Sequence, residues 1–403
     1  MRGFTRWVRL AVGTAVCSCF LFVLPGCATV SVEPADAKVP GITQLLSAEP
    51  GKSLDLFVVH GMCHHDKAWA TRTLDWLGRA SGGVASPIVD ASSVAGVAVY
   101  SRTIEIPSKG QVRAHALVWS ALTKPLKDRL CYDRAKNRVS CELPPASSSE
   151  PYLRYRDLLN RMVKETLVDD CFSDAVVYIG QSRESIQARI QDALAATRTQ
   201  TSGVPMVAGV NALRASLVND AGMVVLSSSL GSKLVFDAID QMSLSADPDR
   251  RAAGHQLWNS MRGAFMAANQ IPLLSLAEED SLNLRVDSRS QRRAGEYAPD
   301  PLAALLANRQ PWNLHAQGTR PPMPIVAFTD PNDLLSFEAR PFLAQRPSSE
   351  NYYLVDVLVR NARSWGLIAN PWTAHTHYLD NEQVLKVLFH GINTSPEALR
   401  SGP

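Results

Sequence analysis

Short apolar runs alternate with longer helical patterns along most of this 403-residue chain. Runs rich in β-branched residues predict strands, and helices between them supply the crossovers that parallel strands require. We therefore expect an α/β fold with a mostly parallel central sheet flanked by helices. The predicted strands are residues 54–59, 97–106, 114–119, 175–179, 223–226, part of 264–276, and 324–328. The predicted helices are residues 66–80, 152–167, 186–197, 233–242 and 381–390.

The N-terminal segment has the order of an export signal. Three arginines within the first nine residues precede the apolar run 10–24, and Leu24-Pro25-Gly26-Cys27 follows. The run is short for a membrane-spanning helix, which favours cleavage. The four residues resemble the bacterial lipobox, which implies a signal peptide over residues 1–26 and a lipid on Cys27. Because Ala28 is not Asp, the resemblance further implies the outer membrane; an uncleaved anchor or an ordinary signal peptide is the alternative.

The remainder is predicted to be one domain on a tether. Residues 27–49 contain proline and read as the tether, and residues 50–403 as the α/β domain. The polar stretches 124–151 and 277–320 read as insertions over the carboxyl edge of the sheet. The net charge of +3 is matched by the three N-terminal arginines, so the rest is balanced. No basic stripe predicts a nucleic-acid partner, and no feature sets an oligomeric state.

The cysteine pattern fits an exported protein. Seven cysteines are present; two leave with the signal and a third would carry the lipid. Exported chains can form disulfides. Cys131 and Cys141 flank a short polar loop and form the easiest pair, which leaves Cys63 with Cys171 as the other candidate pair.

A serine-rich stretch follows the predicted strand 223–226 and precedes a helical pattern. Ser227-Ser228-Ser229-Leu230-Gly231 matches the small-x-Ser-x-Gly pattern of a sharp strand-to-helix turn that exposes a nucleophile. This spacing selects Ser229, because Ser227 and Ser228 have large residues where the turn requires small ones. Ser227 stands where glycine is usual, which is a departure from the pattern.

An early strand supplies a candidate oxyanion loop. Residues 54–59 run into His60-Gly61-Met62, and glycine lets the backbone turn so that an N–H can point at a substrate oxygen. The N–H of Met62 or of Cys63 is one donor, and the N–H of Leu230 is the second. His60 reads as a residue that orients this loop.

An acid and a histidine follow in the order that a serine nucleophile needs. Asp330 and Asp333 lie in the loop after the predicted strand 324–328, and His375 and His377 precede the last helix. Both aspartates could instead be turn formers. Asp380, near the histidines, reads as the N-cap or a first-turn acid of the last helix.

Together these segments resemble the α/β-hydrolase superfamily over about residues 50–392. The resemblance implies the α/β-hydrolase fold and an esterase- or lipase-like serine hydrolase. Ser229 would attack an ester carbonyl, His375 would take its proton, and Asp333 would orient the histidine. The same resemblance favours Asp333, which an apolar pair follows, over Asp330. It favours His375 over His377 because a tyrosine stands three residues after His375.

The chemistry that these residues suggest needs no cofactor. His64, His65 and Asp66 invite a metal interpretation, but adjacent histidines point apart and no further ligand follows at suitable spacing. The expected partner is an ester or other acyl-containing substrate. Acyl transfer or thioester cleavage at the same site remains open. A non-catalytic binding module is the third possibility, and the complete serine, acid and histidine set argues against it.

Overall fold

A computed structural model describes residues 30–134, 141, 155–199, 221–278, 300–308, 322–343, 351–362 and 369–392. The proposed signal peptide and Cys27 lie outside these residues. Among the residues so described, no helix is both long enough and apolar enough to cross a membrane.

Ten strands of the described chain form one sheet. Their order is β1-β10-β9-β8-β7-β2-β6-β5-β3, and β4 also pairs with β5. The pairings from β10 through to β6 are all parallel, and those of β1, β3, β4 and β5 are antiparallel. The expected mostly parallel sheet is therefore confirmed. The strands are β1 Ser31–Glu33, β2 Ser53–Val59, β3 Val84–Ala85, β4 Val89–Val94, β5 Val97–Ile106, β6 Gly110–Val118, β7 Gly222–Ser228, β8 Met261–Ala267, β9 Met323–Thr329 and β10 Tyr352–Leu358.

Helices cover both faces of the sheet. Those from α5 to α11 pack on one face, and α1, α2 and α13 pack on the other. The helices are α1 Ile42–Ala48, α2 Lys67–Ala80, α3 Lys124–Lys127, α4 Leu158–Met162, α5 Ser173–Ile179, α6 Arg183–Thr199, α7 Leu230–Ser243, α8 Pro248–Ser260, α9 Ile271–Ser275, α10 Pro301–Ala307, α11 Ala339–Leu343, α12 Pro371–Thr376 and α13 Glu382–His390. A π-helical segment, Val163–Phe172, joins α4 to α5, and 3-10 turns lie at Ser120–Leu122, Asp128–Asp133 and Leu276–Glu278.

The middle of the sheet is buried on both faces. Strands β8 and β9 have no residue outside the core, and β2 and β7 have one partly exposed residue each. Parallel strands covered by helices on both sides have this near-continuous apolar sequence. The same property made these strands easy to predict from the sequence.

The direction in which successive strands are added to the sheet reverses at β2. After β2 the chain adds β6 on one side of it and later β7 on the other. In open α/β sheets, ligands bind outside the carboxyl ends of the strands where the order reverses. This places the end of β2 and the end of β7 at the expected ligand crevice.

Residues 175–179 form part of helix α5, so the strand predicted there is wrong. Ala175 and Tyr178 are buried while Val176 is exposed, which is the one-sided burial of a helix. A short apolar run does not by itself distinguish a strand from a helix. The contacts of α5 with its neighbours decide the outcome.

The predicted tether, residues 27–49, is largely part of the fold. Ser31–Glu33 forms β1 and pairs antiparallel with β10, and Ile42–Ala48 forms α1. Val32 and Ile42 are buried in the core on the α1 side of the sheet. The first strand of the described chain begins at Ser31, four residues after Cys27. Strand β10, not predicted from the sequence, creates the edge on which β1 pairs.

The two predicted insertions also contribute structure. Residues 124–151 include α3 and the 3-10 turn Asp128–Asp133. Residues 277–320 include α10, whose Leu302, Leu305 and Leu306 lie in the main core. The second stretch is therefore partly a core element. Residues 279–299 and 309–321 lie outside the described part of the chain.

Candidate active site

Ser229 occupies the turn between β7 and α7. It is the one residue between Ser228, which ends β7, and Leu230, which begins α7. Its backbone has φ 53° and ψ −126°, a conformation that a residue with a Cβ rarely adopts. Such strain costs about 1–3 kcal/mol and persists only where surrounding structure imposes it. The Ser229 N–H donates to the carbonyl of Ala267 at the end of β8, 2.8 Å away.

The backbone around this turn packs so closely that two positions have no room for a side chain, and both are glycine. A Cβ at Gly231 would lie 2.5 Å from the His60 carbonyl oxygen and 2.7 Å from that of Val59. A Cβ at Gly61 would lie 2.5 Å from the Cβ of Ser229. The start of α7 therefore packs directly on the end of β2, and the following loop packs directly on Ser229.

The neighbouring serines differ in their contacts. Ser227 is buried, and its Oγ lies 2.9 Å from the Oγ of Ser232 in the first turn of α7. Its small side chain fits the position where the sequence pattern usually has glycine. Ser229 is 2% exposed, and no described residue forms a hydrogen bond with its Oγ. Among these buried hydroxyls, that of Ser229 is unengaged.

Helix α7 is fixed by a buried polar cluster. The ammonium of Lys233 lies 2.8 Å from Asp237 Oδ1, and the Tyr178 hydroxyl donates to Asp237 Oδ2 at 2.5 Å. Lys233 also lies 3.4 Å from Asp300, which caps α10. Buried charges that are paired in this way hold elements in register, and removing one partner is costly. The cluster ties the helix that follows Ser229 to α5 and α10.

Asp333 and His375 form a hydrogen-bonded pair. His375 Nδ1 lies 2.9 Å and 3.0 Å from the two carboxylate oxygens of Asp333. The Tyr378 hydroxyl donates to Asp333 Oδ2 at 3.0 Å, and the Leu335 N–H donates to Oδ1 at 3.0 Å. Burial and the adjacent Asp333 charge raise the pKa of Tyr378, so its hydroxyl keeps its proton and donates. The carboxylate is thereby held toward the histidine.

The alternative acid has a different set of contacts. Asp330 accepts backbone N–H groups from Asn332 at 2.8 Å and from Asn361 at 2.6 Å, and its own N–H donates to Tyr378. These contacts are those of a turn former. Asp330 therefore organises the two loops beyond β9 and β10 and makes no hydrogen bond to His375.

The alternative base also has a different partner. His377 pairs with Asp380 at 3.0 Å on a half-exposed surface. Asp380 is not the N-cap of α13, as the sequence suggested, because Asn381 caps that helix and accepts the N–H of Gln383. The structure thus separates the two histidines into one buried pair and one surface pair.

The serine and the histidine lie at the same edge of the sheet but are not hydrogen-bonded to each other. Ser229 N–H bonds to the end of β8, and Ala268 N–H bonds to the Phe328 carbonyl in β9, the strand that leads to Asp333. Ser229 Oγ has no hydrogen-bond partner among the described residues, and the His375 ring contacts Asp333 through Nδ1. Hydrogen bonds of a catalytic pair are often long without substrate and tighten in the complex.

His60 orients the loop that follows β2. Its ring stacks between those of His65 and Trp119, at centroid distances of 4.4 Å and 4.8 Å. The Trp119 N–H donates to His60 Nε2 at 3.0 Å, so Nδ1 carries the proton and donates to the Gly61 carbonyl at 2.7 Å. Full burial lowers the pKa of His60 well below its ordinary value. The neutral ring holds the loop after β2 through these contacts, in line with the loop-orienting role expected from the sequence.

Only one of the two candidate N–H groups in this loop is unengaged. The Cys63 N–H donates to Asp174 Oδ2 at 2.8 Å and cannot also point at a substrate. Within the described chain, neither Met62 nor Leu230 donates its N–H to another backbone group. Asp174 is 111 positions from Cys63 in the sequence, and no local sequence pattern predicts that the two residues are in contact.

The expected cysteine pairings are both present. Cys63 is bonded to Cys171 in the π-helical segment, and Cys131 is bonded to Cys141. The first bond joins the loop after β2 to residues far along the chain. The second closes the loop that the sequence singled out.

The stability of the fold is expected to decrease below about pH 6.5 because of His60 and His65. Burial lowers both pKa values, that of His65 to about 4, so below about pH 6.5 the unfolded chain binds more protons than the folded chain. Above pH 6.5 neither histidine affects the free energy of unfolding. Below it this free energy falls by up to about 1.4 kcal/mol per pH unit for each histidine that is protonated only in the unfolded chain, and for His65 the fall ends near pH 4. Melting temperatures between pH 7.5 and 4.5 measure this. His65→Gln should flatten the dependence, and an unchanged slope would contradict the assignment.

Other features of the described residues lie away from this site. No group of three or more His, Cys, Asp or Glu among them is placed to hold a metal ion. A cavity of about 290 Å³ is lined by residues that include Leu122, Ile186 and Arg189, none of which belongs to the candidate site. Comparisons with protein-family models, with curated proteins and with solved structures found no match to this chain.

Proposed function

We propose that this protein is a serine hydrolase that cleaves carboxylic esters, with Ser229 as nucleophile, His375 as base and Asp333 as the acid that orients the base. The observation that carries the proposal is the conformation of Ser229. A strained, non-glycine residue with a buried and unengaged hydroxyl, at the point where strand order reverses, is typical of a functional site.

The contacts at the sheet edge support a defined division of roles. His375 Nε2 would accept the proton of Ser229 Oγ as the oxygen attacks the ester carbonyl. Asp333 accepts a hydrogen bond from the protonated Nδ1, which leaves Nε2 unprotonated and able to take the serine proton. The N–H groups of Met62 and Leu230 would stabilise the oxyanion. His375 would then give its proton to the leaving alcohol, and water would release the acyl group by the same steps.

The order of the site along the sheet supports an α/β-hydrolase fold as part of the proposal. The oxyanion loop follows β2, the serine follows β7, the acid follows β9 and the histidine follows β10. This is the chain order of nucleophile, acid and histidine that the fold uses. The four strands that precede these loops lie among six successive parallel strands of the sheet.

Lipid attachment at Cys27 completes the proposal. Because β1 begins four residues later, a lipid there would hold the domain within about 15 Å of the bilayer surface. The protein would then act on ester substrates at the cell envelope, with the outer membrane as the proposed location.

A fluorophosphonate probe tests the proposal. We expect the wild-type protein to be labelled in the membrane fraction, Ser229→Ala to be unlabelled, and the neighbouring control Ser228→Ala to be labelled. Replacing residues 1–27 by an ordinary cleavable signal peptide should move the labelled protein to the soluble fraction. An unlabelled wild type, or equal labelling of Ser229→Ala, would refute the serine mechanism. Product analysis with and without an added alcohol separates hydrolysis from acyl transfer.

A further inference from the structure

We propose that residues 163–179 position the oxyanion-binding loop, and that Asp174 is the principal positioning residue. The loop meant here is residues 60–65, which follow β2. The inference rests on the proposed function, because it assigns a role to the Met62 N–H during ester cleavage.

Three successive N–H groups of this loop each donate to a side chain from outside it. The Cys63 N–H donates to Asp174 Oδ2 at 2.8 Å, and the His64 N–H donates to Asp170 Oδ2 at 3.1 Å. The His65 N–H donates to Ser120 Oγ at 2.8 Å. Two of the three acceptors are carboxylates, and hydrogen bonds to charged acceptors are stronger than those to neutral ones. The backbone of the loop is therefore held residue by residue.

A buried lysine joins the two carboxylates. Lys127 Nζ lies 2.7 Å from Asp170 Oδ1 and 3.0 Å from Asp174 Oδ2. The Asp174 side chain is fully buried and that of Lys127 is 5% exposed. A buried carboxylate persists as an acceptor when a cation and N–H donors satisfy it. Lys127 thus allows Asp174 to keep a charged oxygen on the Cys63 N–H.

The same helical turn holds Cys63 by a covalent bond. Cys171, between Asp170 and Asp174, forms the disulfide with Cys63. Cys63 has φ 79°, in the left-handed region that residues other than glycine avoid. The disulfide and the Asp174 hydrogen bond together impose this conformation. Met62, the preceding residue, is oriented as a consequence.

The position of Met62 matters because the loop contacts the nucleophile. Gly61 packs against Ser229 so closely that a Cβ would approach within 2.5 Å. With the Cys63 N–H committed to Asp174, the Met62 N–H is the loop donor left for the oxyanion. A misplacement of about 1 Å at such a site can lower the rate about 10²-fold.

Asp174→Leu, which removes the acceptor at similar volume, tests the role. We expect kcat for a simple ester to fall about 10- to 100-fold with KM nearly unchanged, because the oxyanion contact forms in the transition state. Affinity for a boronic acid that forms a tetrahedral adduct should fall by a similar factor. Asp174→Asn keeps an amide oxygen for the Cys63 N–H and should restore most of kcat. Asp170→Leu, a milder change, should act in the same direction.

The matched control is Asp133→Leu. Asp133 forms ion pairs with Arg156, at 2.7 Å, and with Lys164 in the π-helical segment. It therefore holds the segment that contains Asp170 and Cys171 but forms no hydrogen bond with the loop 60–65 in the described chain. Equal losses of kcat in Asp133→Leu and Asp174→Leu would overturn the positioning role, as would a change in KM alone.

Hydrogen exchange separates failure of this inference from failure of the proposed function. In Asp174→Leu, a peptide covering residues 60–66 should exchange faster than in wild type, whatever the protein catalyses. Unchanged exchange would overturn the inference even if fluorophosphonate labels Ser229. A wild type that the probe does not label would refute the serine mechanism, and the exchange result would still report on the contact with Asp174.

Discussion

Replacing Asp333 by asparagine is expected to lower kcat for ester hydrolysis by roughly 10³- to 10⁴-fold, with a smaller effect on KM. Asp333 holds His375 Nδ1 at 2.9 Å and 3.0 Å, and only an acceptor there keeps the proton on Nδ1. An asparagine amide can present its NH₂ group instead and stabilise the tautomer with a protonated Nε2. That nitrogen could not take the proton of Ser229. Steady-state kinetics with a chromogenic ester measures the loss.

Asp330→Asn is the matched control for this prediction. Asp330 is buried beside Asp333, but it accepts N–H groups of Asn332 and Asn361 and makes no hydrogen bond to His375. We expect its variant to lose about 1–3 kcal/mol of stability and to keep kcat within about tenfold of wild type. The reverse pattern, with kcat lost in Asp330→Asn and kept in Asp333→Asn, would exchange the roles of the two acids.

Gly61→Ala is expected to reduce kcat/KM by about 10²-fold or more and to lower the free energy of unfolding by about 1–3 kcal/mol. The added methyl group would lie 2.5 Å from the Cβ of Ser229 and 2.8 Å from the Ser228 carbonyl oxygen. Gly61 does not have a positive φ, so alanine suits its backbone and only crowding is at issue. The loop and the nucleophile must move apart, which displaces the Met62 N–H.

Gly51→Ala is the control for that substitution. A Cβ at Gly51 meets no atom within 4 Å, so this variant should match wild type in both activity and stability. Kinetics and thermal melts of the two variants measure the difference. If Gly61→Ala kept full activity, the loop after β2 would not form part of the site, and the assignment of Met62 as a donor would fail.

Much of the candidate site could be predicted because its signals are local. The turn at Ser229 needs small residues two places before and after it, and the five-residue pattern satisfies that need. Position after a strand and before a helix pointed to Asp330 or Asp333 and to His375 or His377, and the family resemblance favoured Asp333 and His375. The structure brings these two side chains together, and it assigns Asp330 and His377 to other partners. A choice between residues two or three positions apart depends on side-chain direction, which a pattern does not contain.

The sequence-based predictions were wrong for segments whose secondary structure is determined by contacts with residues distant in the sequence. Residues 175–179 are apolar enough for a strand, but burial on one side and the packing of α5 make them helical. Ser31–Glu33 looks like part of a tether because a three-residue edge strand has no periodicity of its own. It becomes β1 only because β10 offers an unpaired edge.

The sequence by itself determined the α/β class, the mostly parallel sheet, the strand-to-helix turn at Ser229 and the cysteines available for pairing. Apolar periodicity and turn chemistry are properties of neighbouring residues, and they can be read without coordinates. Only the tertiary structure decided that Asp333 faces His375 and that Asp174 takes the N–H of Cys63. Those contacts join residues 42 and 111 positions apart, and they exist because the folded sheet brings its loops to one edge.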